Sequence, residues 1–190
     1  DVWVRFFTPK TEVPLCGHAT IAAHAVRALE NGMRSGRVKQ KTGAGILPVD
    51  VTREGRDCLV TMTQGPAQFG DGPLGGEALS ALLAALGVTP ADLRPDCPVQ
   101  IVSTGHSKVM VGLKNTECLH RLTPDFEALR RVSTQIRCNG FYTFTLHPGE
   151  SPAVHGRMFA PAIGIQEDPV TGNANGPLGA YLVRYGLLPV

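Results

Sequence analysis

A short pattern occurs twice in this chain and constrains the fold more than any other feature of the sequence. The first copy is Phe7-Thr8-Pro9 followed by Cys16-Gly17-His18-Ala19, and the second is Phe159-Ala160-Pro161 followed by Thr171-Gly172-Asn173-Ala174. Each copy predicts a strand that leads through a loop into a helix starting with glycine. Chance similarity between two such helices is the alternative, but the matched flanking strands favour an internal repeat.

The elements around the two copies predict an α+β protein with two similar lobes. The first lobe, residues 1–96, has a helix at 17–30, strands at 37–40, 46–51 and 58–62, and a second helix at 77–86. The second lobe, residues 97–190, has strands at 99–102, 109–113, 141–146 and 157–159, a helix opened by Thr123-Pro124, and another that begins near Gly172. Helix 17–30 is rich in alanine and poor in charge, which is typical of a helix buried on every side.

Composition excludes several classes of protein. A net charge of +2 with scattered Lys and Arg argues against a nucleic-acid partner. The sequence has no run as long as a membrane helix, and its first residues do not resemble a signal peptide, so a soluble, cytoplasmic protein is expected. The five cysteines lack CxxC spacing, which argues against disulfides and structural zinc. We therefore expect a small-molecule partner and reduced thiols.

The glycines that start the two repeated helices predict an anion site. A glycine at a helix start lets a ligand approach the backbone, where free N–H groups and the positive end of the helix dipole favour a carboxylate. If the helix starts at Gly17 and Gly172 share a cleft, they could hold one carboxylate together. The sequence pattern alone does not show that they do.

The residues around these glycines resemble the two signatures of the phenazine-biosynthesis-like (PhzF-like) proteins. Residues 7–20, FTPKTEVPLCGHAT, look like the first signature, and residues 167–174, EDPVTGNA, look like the second. The resemblance extends through the intervening chain, including Ser103–Lys108. It implies the diaminopimelate epimerase fold, with pseudo-symmetric lobes that each roll a sheet around a central helix. It also implies an isomerase that needs no cofactor, and a homodimer is compatible with it.

The resemblance also assigns site residues. Gly17, Gly172 and Asn173 match helix-start positions that bind substrate, with Cys16 and Thr171 lining the same site. His18 and Asp168 match positions that handle protons or support that role. The family's principal acid/base is a glutamate upstream of the first signature, for which no matching segment precedes Asp1. We accordingly expect the sequence to be a fragment in which both lobes are incomplete.

Three reactions or roles are compatible with these residues. The related epimerases use one thiol at each helix start, and Cys16 matches the first, but Thr171 holds the second place and its hydroxyl is a poor acid or base. A proton shift along a small carboxylate-bearing substrate fits His18 and Asp168 better. A binding module without catalysis is the other alternative. His18 could also be a simple capping residue, and Asp168 before Pro169 could simply open a turn.

Two further motifs suggest chemistry that the surrounding sequence does not support. Residues 70–75 match GxGxxG, but a Gln-Gly-Pro segment separates them from the preceding strand, so we interpret them as a surface loop. Cys16, His18 and His24 could suggest a metal site, but His18 and His24 are six residues apart and would point to different faces of a helix. No metal is expected.

Overall fold

The computed structural model describes residues 1–8, 11–138, 140–147, 149–150 and 153–187. Pro9 of the first repeated pattern therefore lies outside the described residues. The chain forms two compact units: unit 1 comprises residues 1–66 with 170–173, and unit 2 comprises residues 67–169 with those from 174 onward. The predicted lobes had a boundary near residue 96. The compact units divide earlier, because the segment after residue 66 pairs with strands of unit 2. The assignment of 1–96 and 97–190 to two lobes stays a prediction.

Unit 1 packs one helix against one side of a mainly antiparallel sheet. Its elements are β1 (Val2–Trp3), β2 (Phe6–Phe7), β3 (Glu12–Val13), α1 (Gly17–Glu30), β4 (Ser35–Thr42), β5 (Gly45–Glu54) and β6 (Asp57–Met62). The sheet has the order β1-β4-β5-β6, in which β1 pairs parallel with β4, while β2 and β3 form a separate hairpin. Helix α1 packs on β5 and β6.

The expectation that α1 is buried on every side was wrong. The helix buries one face, made by Gly17, Thr20, His24 and Ala28. Ile21 and Val26 are 44% and 57% exposed. The sheet of unit 1 packs only against the face of α1 toward β5 and β6, so the remaining surface of the helix, which carries these two side chains, stays exposed.

Unit 2 contains a six-stranded sheet with helices on both faces. Its elements are β7 (Gln68–Pro73), α2 (Gly76–Leu86), β8 (Gln100–Ser103), β9 (Lys108–Gly112), α3 (Thr116–His120), α4 (Phe126–Ile136), β10 (Phe141–Leu146), β11 (Val154–Ala160), β12 (Ile165–Asp168) and most of α5 (Gly172–Arg184). The strand order is β12-β11-β10-β9-β8-β7, and only the β9–β10 pair in this sheet is parallel. Residues 172 and 173 at the start of α5 count with unit 1.

Successive side chains of the central strands point to opposite faces of this sheet, and both faces carry buried residues that pack against helices. On one face, Phe141 and Phe159 pack in an apolar cluster with residues of α2, α3 and α4. On the other face, Tyr142, Phe144 and Met158 pack with Leu178, Tyr181 and Leu182 of α5. All six residues of β10 are buried, as expected for a strand that is covered on both sides. No helix among the described residues is long and apolar enough to cross a membrane.

Three other expectations from the sequence need correction. Helix α4 begins at Phe126 rather than at Thr123-Pro124, because the Asp125 carboxylate accepts hydrogen bonds from the first-turn N–H groups of Glu127 and Ala128, both at 3.0 Å. The short helix α3 was not predicted. Residues 70–73 of the GxGxxG segment belong to strand β7 rather than to a loop, since β7 pairs antiparallel with β8. This pairing also differs from the strand–helix–strand unit of a dinucleotide site.

Candidate active site

The first turn of α1 starts without a side-chain cap. Cys16 occupies the N-cap with extended backbone, φ −139° and ψ 118°, and its side chain makes no capping hydrogen bond. The first turn also contains no acidic residue. The positive end of this helix dipole is therefore neither capped by the N-cap side chain nor neutralised by a carboxylate of its own first turn, as an anion-binding helix start requires.

Gly17 is in close contact with the start of α5 within unit 1. A Cβ at Gly17 would lie 3.1 Å from Asn173 Oδ1, 3.2 Å from the Asn173 backbone nitrogen and 3.2 Å from the Gly172 carbonyl carbon. These distances are tighter than ordinary contacts of a Cβ atom. Glycine at position 17 therefore allows the backbone of residues 172–173 to approach the start of α1.

The side chain of Asn173 forms a hydrogen bond across this contact. Its Nδ2 donates a 2.9 Å hydrogen bond to the Leu15 carbonyl oxygen, two residues before α1 begins. Its Oδ1 is buried and has no hydrogen-bond partner among the described residues. The structure thus brings together the predicted site residues Gly17, Gly172 and Asn173, and it leaves a buried acceptor beside them. Thr171 is half-buried in the same unit.

Cys16 and His18 form a thiol–imidazole contact at the same helix start. Cys16 Sγ lies 3.7 Å from His18 Nδ1 and 3.6 Å from His18 Nε2. The His18 side chain is exposed and Cys16 is half-buried. The imidazole is therefore accessible to a ligand, and it has a sulfur atom within reach as a weak hydrogen-bond partner.

Asp168 is held by unit 2, whereas His18 is held by unit 1. Asp168 ends β12 opposite Met158 of β11. The preceding Glu167 forms a bidentate ion pair with Arg157 of β11, at 2.7 and 3.0 Å, and hydrogen bonds from Arg157 lower the pKa of the Glu167 carboxyl. This ion pair, which links the neighbouring strands, fixes the residue next to Asp168 in the second signature.

A buried lysine lies on the same sheet as Asp168. Lys108 of β9 is 1% exposed, and burial lowers its pKa to about 8, although the charge of Asp168 acts in the opposite direction. Its stem occupies the space beside Met158 that glycine at position 140 leaves open. His106, which is close in sequence, has its pKa lowered to about 4 by burial and by the charge of Lys108.

The family model of phenazine biosynthesis-like proteins matches residues 1–189. The chain belongs to this family. An uncharacterized isomerase of Clostridium acetobutylicum is 57% identical over 188 residues, which are 98% of this chain and 62% of the relative. A trans-2,3-dihydro-3-hydroxyanthranilate isomerase of Pseudomonas fluorescens is 30% identical over 98% of this chain and 61% of the relative. This member of the phenazine biosynthesis-like family thus spans about three fifths of the length of these curated relatives.

Solved structures confirm the α+β fold expected for a phenazine biosynthesis-like protein. A Bacillus anthracis protein of the PhzF family matches with a TM-score of 0.80 and 31% identity, covering 95% of this chain and 61% of the other. A hydroxyproline epimerase from Agrobacterium vitis matches with a TM-score of 0.66 at 16% identity, covering 100% of this chain and 57% of the other. At that identity the likeness to the epimerase shows the fold alone.

Two sets of buried polar residues were not predicted as functional from the sequence. One is Lys108, which was quoted only as part of the Ser103–Lys108 match. The other is a buried group in unit 1, Thr20, His24 and Gln40. An inward-facing glutamine between Val38 and Thr42 of β4 is a signal that the sequence does contain, because a buried amide needs partners.

Proposed function

We propose that the natural protein carrying this chain is an isomerase that shifts a proton on a small carboxylate-bearing metabolite without a metal or organic cofactor. The observation that carries the proposal is the contact between the two signature glycines and Asn173 in unit 1. Family membership supports the reaction class, because the curated relatives are named isomerases. The named substrate of the Pseudomonas fluorescens relative is itself a small carboxylate.

In this proposal the start of α1 binds the substrate carboxylate. The backbone N–H groups at Gly17 and His18 supply donors, and the uncapped end of the helix dipole favours the negative charge. Asn173 Oδ1 is a buried acceptor without a protein partner among the described residues, and it would accept a hydrogen bond from a hydroxyl or amino group of the ligand.

In the proposed reaction His18 and Asp168 handle the proton or support that role, and the family resemblance assigns the principal acid/base role to a glutamate upstream of the first signature. A base removes a proton from one carbon, the electrons of that C–H bond move into the adjacent π system, and an acid returns a proton to a different carbon. Atoms and electrons balance without an oxidant or reductant. An imidazole and a carboxylate can polarise or protonate the substrate while the principal acid/base transfers the proton.

Epimerisation is a second candidate, and the contact between Cys16 and His18 favours it. A thiol beside an imidazole can act as an acid or base at one face of a stereocentre. Thr171 stands where the related epimerases have their second thiol, and a hydroxyl is a weak acid. A single thiol would therefore need another group on the opposite face, so we rank this reaction second.

The test is proton exchange in deuterium oxide. The natural protein is incubated with trans-2,3-dihydro-3-hydroxyanthranilate and a panel of small amino and hydroxy carboxylates, and products are followed by NMR. We expect deuterium at one carbon of a shifted double-bond isomer without added cofactor. Inversion at a stereocentre that is lost on alkylation of Cys16 would favour the epimerase, and binding without exchange would favour a non-catalytic module.

Variants assign the proton-transfer roles in the same assay. We expect His18→Asn and Asp168→Asn each to lower turnover about a hundredfold to ten-thousandfold, the usual contribution of a general acid or base. Thermal melting provides the control. His18 is exposed and its replacement should change folding little, whereas Asp168→Asn removes a charge that acts on buried Lys108, so its turnover is compared at a temperature where melting shows the variant folded. Near-normal turnover in both variants would remove these residues from the reaction.

A further inference from the structure

The contact between α1 and the sheet of unit 1 contains buried polar side chains. Thr20 and Gln40 are 0% exposed and His24 is 2% exposed. Burying such groups costs free energy unless each is hydrogen-bonded, and apolar side chains of similar size would fill the space without that cost. Their connections therefore indicate what they do beyond filling space.

The three side chains form one continuous chain of hydrogen bonds. Gln40 Nε2 donates to Thr20 Oγ1 at 3.2 Å, and Thr20 Oγ1 donates to the Cys16 carbonyl oxygen at 2.8 Å. Gln40 Oε1 lies 2.7 Å from His24 Nε2. Because that amide oxygen can only accept, His24 carries a proton on Nε2. The donors of all three hydrogen bonds therefore point in one direction, from His24 toward the Cys16 carbonyl.

The end of this chain is the peptide that joins Cys16 to Gly17. Its carbonyl oxygen accepts from Thr20 Oγ1 and also from the Thr20 backbone N–H at 3.1 Å. A trans peptide is planar, so its N–H points opposite to its C=O. Holding the carbonyl along the helix therefore directs the Gly17 N–H out of the helix start.

We propose that Thr20, Gln40 and His24 are positioning residues, which fix the Cys16–Gly17 peptide so that the Gly17 N–H is aimed at the substrate carboxylate. The inference rests on the proposed function for the identity of the ligand, but not for the orientation of the peptide. Donors that are oriented before binding need no reorganisation when the anion arrives, which strengthens binding. This chain of hydrogen bonds, called the relay below, acts through the Cys16–Gly17 peptide, and the side chains of Thr20, Gln40 and His24 need not touch substrate.

The first test compares Thr20→Val with Thr20→Ser in the natural protein. Valine keeps the shape of threonine but loses the hydroxyl, whereas serine keeps the hydroxyl. Benzoate is the carboxylate probe, titrated while the Gly17 amide is followed by NMR. We expect Thr20→Val to weaken benzoate binding roughly three- to tenfold, the usual effect of one hydrogen bond, and Thr20→Ser to restore most of it. With an active substrate, KM should rise more than kcat falls.

A second readout does not depend on any ligand. In Thr20→Val and in Gln40→Leu, the backbone order parameter of the Gly17 amide should fall while those of Ala25 to Ala28 stay unchanged. The ¹⁵N spectrum of His24 should report the Nε2-protonated tautomer in the unaltered protein. Gln40→Leu, which fills the space with apolar atoms, replaces Thr20→Val if the latter does not fold.

The outcomes separate the two proposals. If the unaltered protein binds no benzoate but the Gly17 order parameter still falls in the variants, carboxylate binding is wrong and the positioning role stands. If Thr20→Val and Gln40→Leu match the unaltered protein in both benzoate affinity and Gly17 order, the positioning role is wrong. An Nδ1-protonated His24 would overturn the direction of the relay.

Discussion

Units 1 and 2 each pack a helix on a sheet, but they use opposite kinds of surface. In unit 2, α5 contributes Leu178, Tyr181 and Leu182 to an apolar cluster with the sheet. In unit 1, α1 buries Thr20 and His24 against the sheet, and the apolar cluster there is small, made by Ala28, Val49, Val51 and Val60. The two contacts therefore differ in what they can contribute to stability.

The apolar contact in unit 2 mainly affects stability, whereas the hydrogen-bonded contact in unit 1 mainly affects the orientation of a peptide. A large apolar contact contributes in proportion to the area removed from water, but it does not orient a particular peptide. A hydrogen-bonded chain contributes little net free energy, yet it fixes directions. We therefore expect substitutions in unit 2 to change mainly the free energy of unfolding, and substitutions in the relay to change mainly ligand binding.

The largest predicted effect concerns the apolar contact between α5 and the sheet of unit 2. Phe144 is fully buried and lies 5.7 Å from the Tyr181 ring, centroid to centroid. Phe144→Ala should lower the free energy of unfolding by about 3–5 kcal/mol, since it removes an aromatic ring and leaves a cavity. The matched change in unit 1, Val49→Ala, should cost about 2 kcal/mol. Urea unfolding measures both changes in the free energy of unfolding, and equal losses in the two variants would contradict the expected difference between the two units.

The second prediction concerns Lys108, a charged exception inside unit 2. Its pKa in the folded protein is about 8, against an ordinary value of 10.5. Between these values the unfolded chain binds more protons, so the free energy of unfolding should rise from about pH 8 to pH 10.5. Lys108→Met should remove that rise and be more stable than the unaltered protein at pH 7, by up to about 3 kcal/mol.

The groups around Lys108 define the control for this measurement. Asp168 and Cys138 raise the pKa of Lys108, and His106 responds to its charge. Comparing slopes of stability against pH between the two proteins cancels the groups that titrate independently of Lys108. A Lys108→Met variant with the same slope as the unaltered protein would contradict the assigned pKa.

The third prediction compares two glycine substitutions, one at the start of α1 in unit 1 and one in α5 of unit 2. Gly17→Ala places a methyl group against Asn173 and should weaken carboxylate binding about tenfold, because the start of α5 must shift by a few tenths of an ångström. Gly179→Ala in α5 meets nothing within 4 Å and should stabilise the helix by about 0.5–1 kcal/mol without changing binding. Calorimetric titration and thermal melting distinguish the two, and identical binding by both variants would argue against the close contact at Gly17.

The smallest predicted effect compares two helix starts. Asp125→Ala should cost about 1 kcal/mol, since the carboxylate caps α4 through two N–H groups. Cys16→Ala should change stability by far less, because Cys16 makes no capping hydrogen bond. Equal losses in melting experiments would show that Cys16 stabilises α1 in another way.

The sequence predicted the elements whose signals are local. Helix α1 begins and ends at the predicted residues, and α2 ends before Gly87, which has the left-handed φ of 73° that glycine adopts readily. The start of α4 was misplaced because Thr123 and Asp125 are both good caps, and only the folded chain selects between them. Helix α3 has five residues, too few to show a helical period.

The site was predicted only in part. The repeated glycines indicated two helix starts, and the structure brings Gly17 to Asn173. The pairing of His24 with Gln40 could not be predicted, because it depends on how the helix lies across the sheet, which no local pattern encodes. The cooperation of His18 with Asp168 stays a prediction, as does the pseudo-symmetry of two lobes.

The hydrogen bond from Asn173 to the Leu15 carbonyl joins residues 158 positions apart in the chain. Closing so long a loop costs entropy that is recovered only once the contact is made. During synthesis, strands β4 to β6 can pair soon after they leave the ribosome, whereas this contact must wait for residue 173 to emerge. The start of α1 is therefore completed late in folding, and its closing contact is expected to be among the first lost when the protein begins to open.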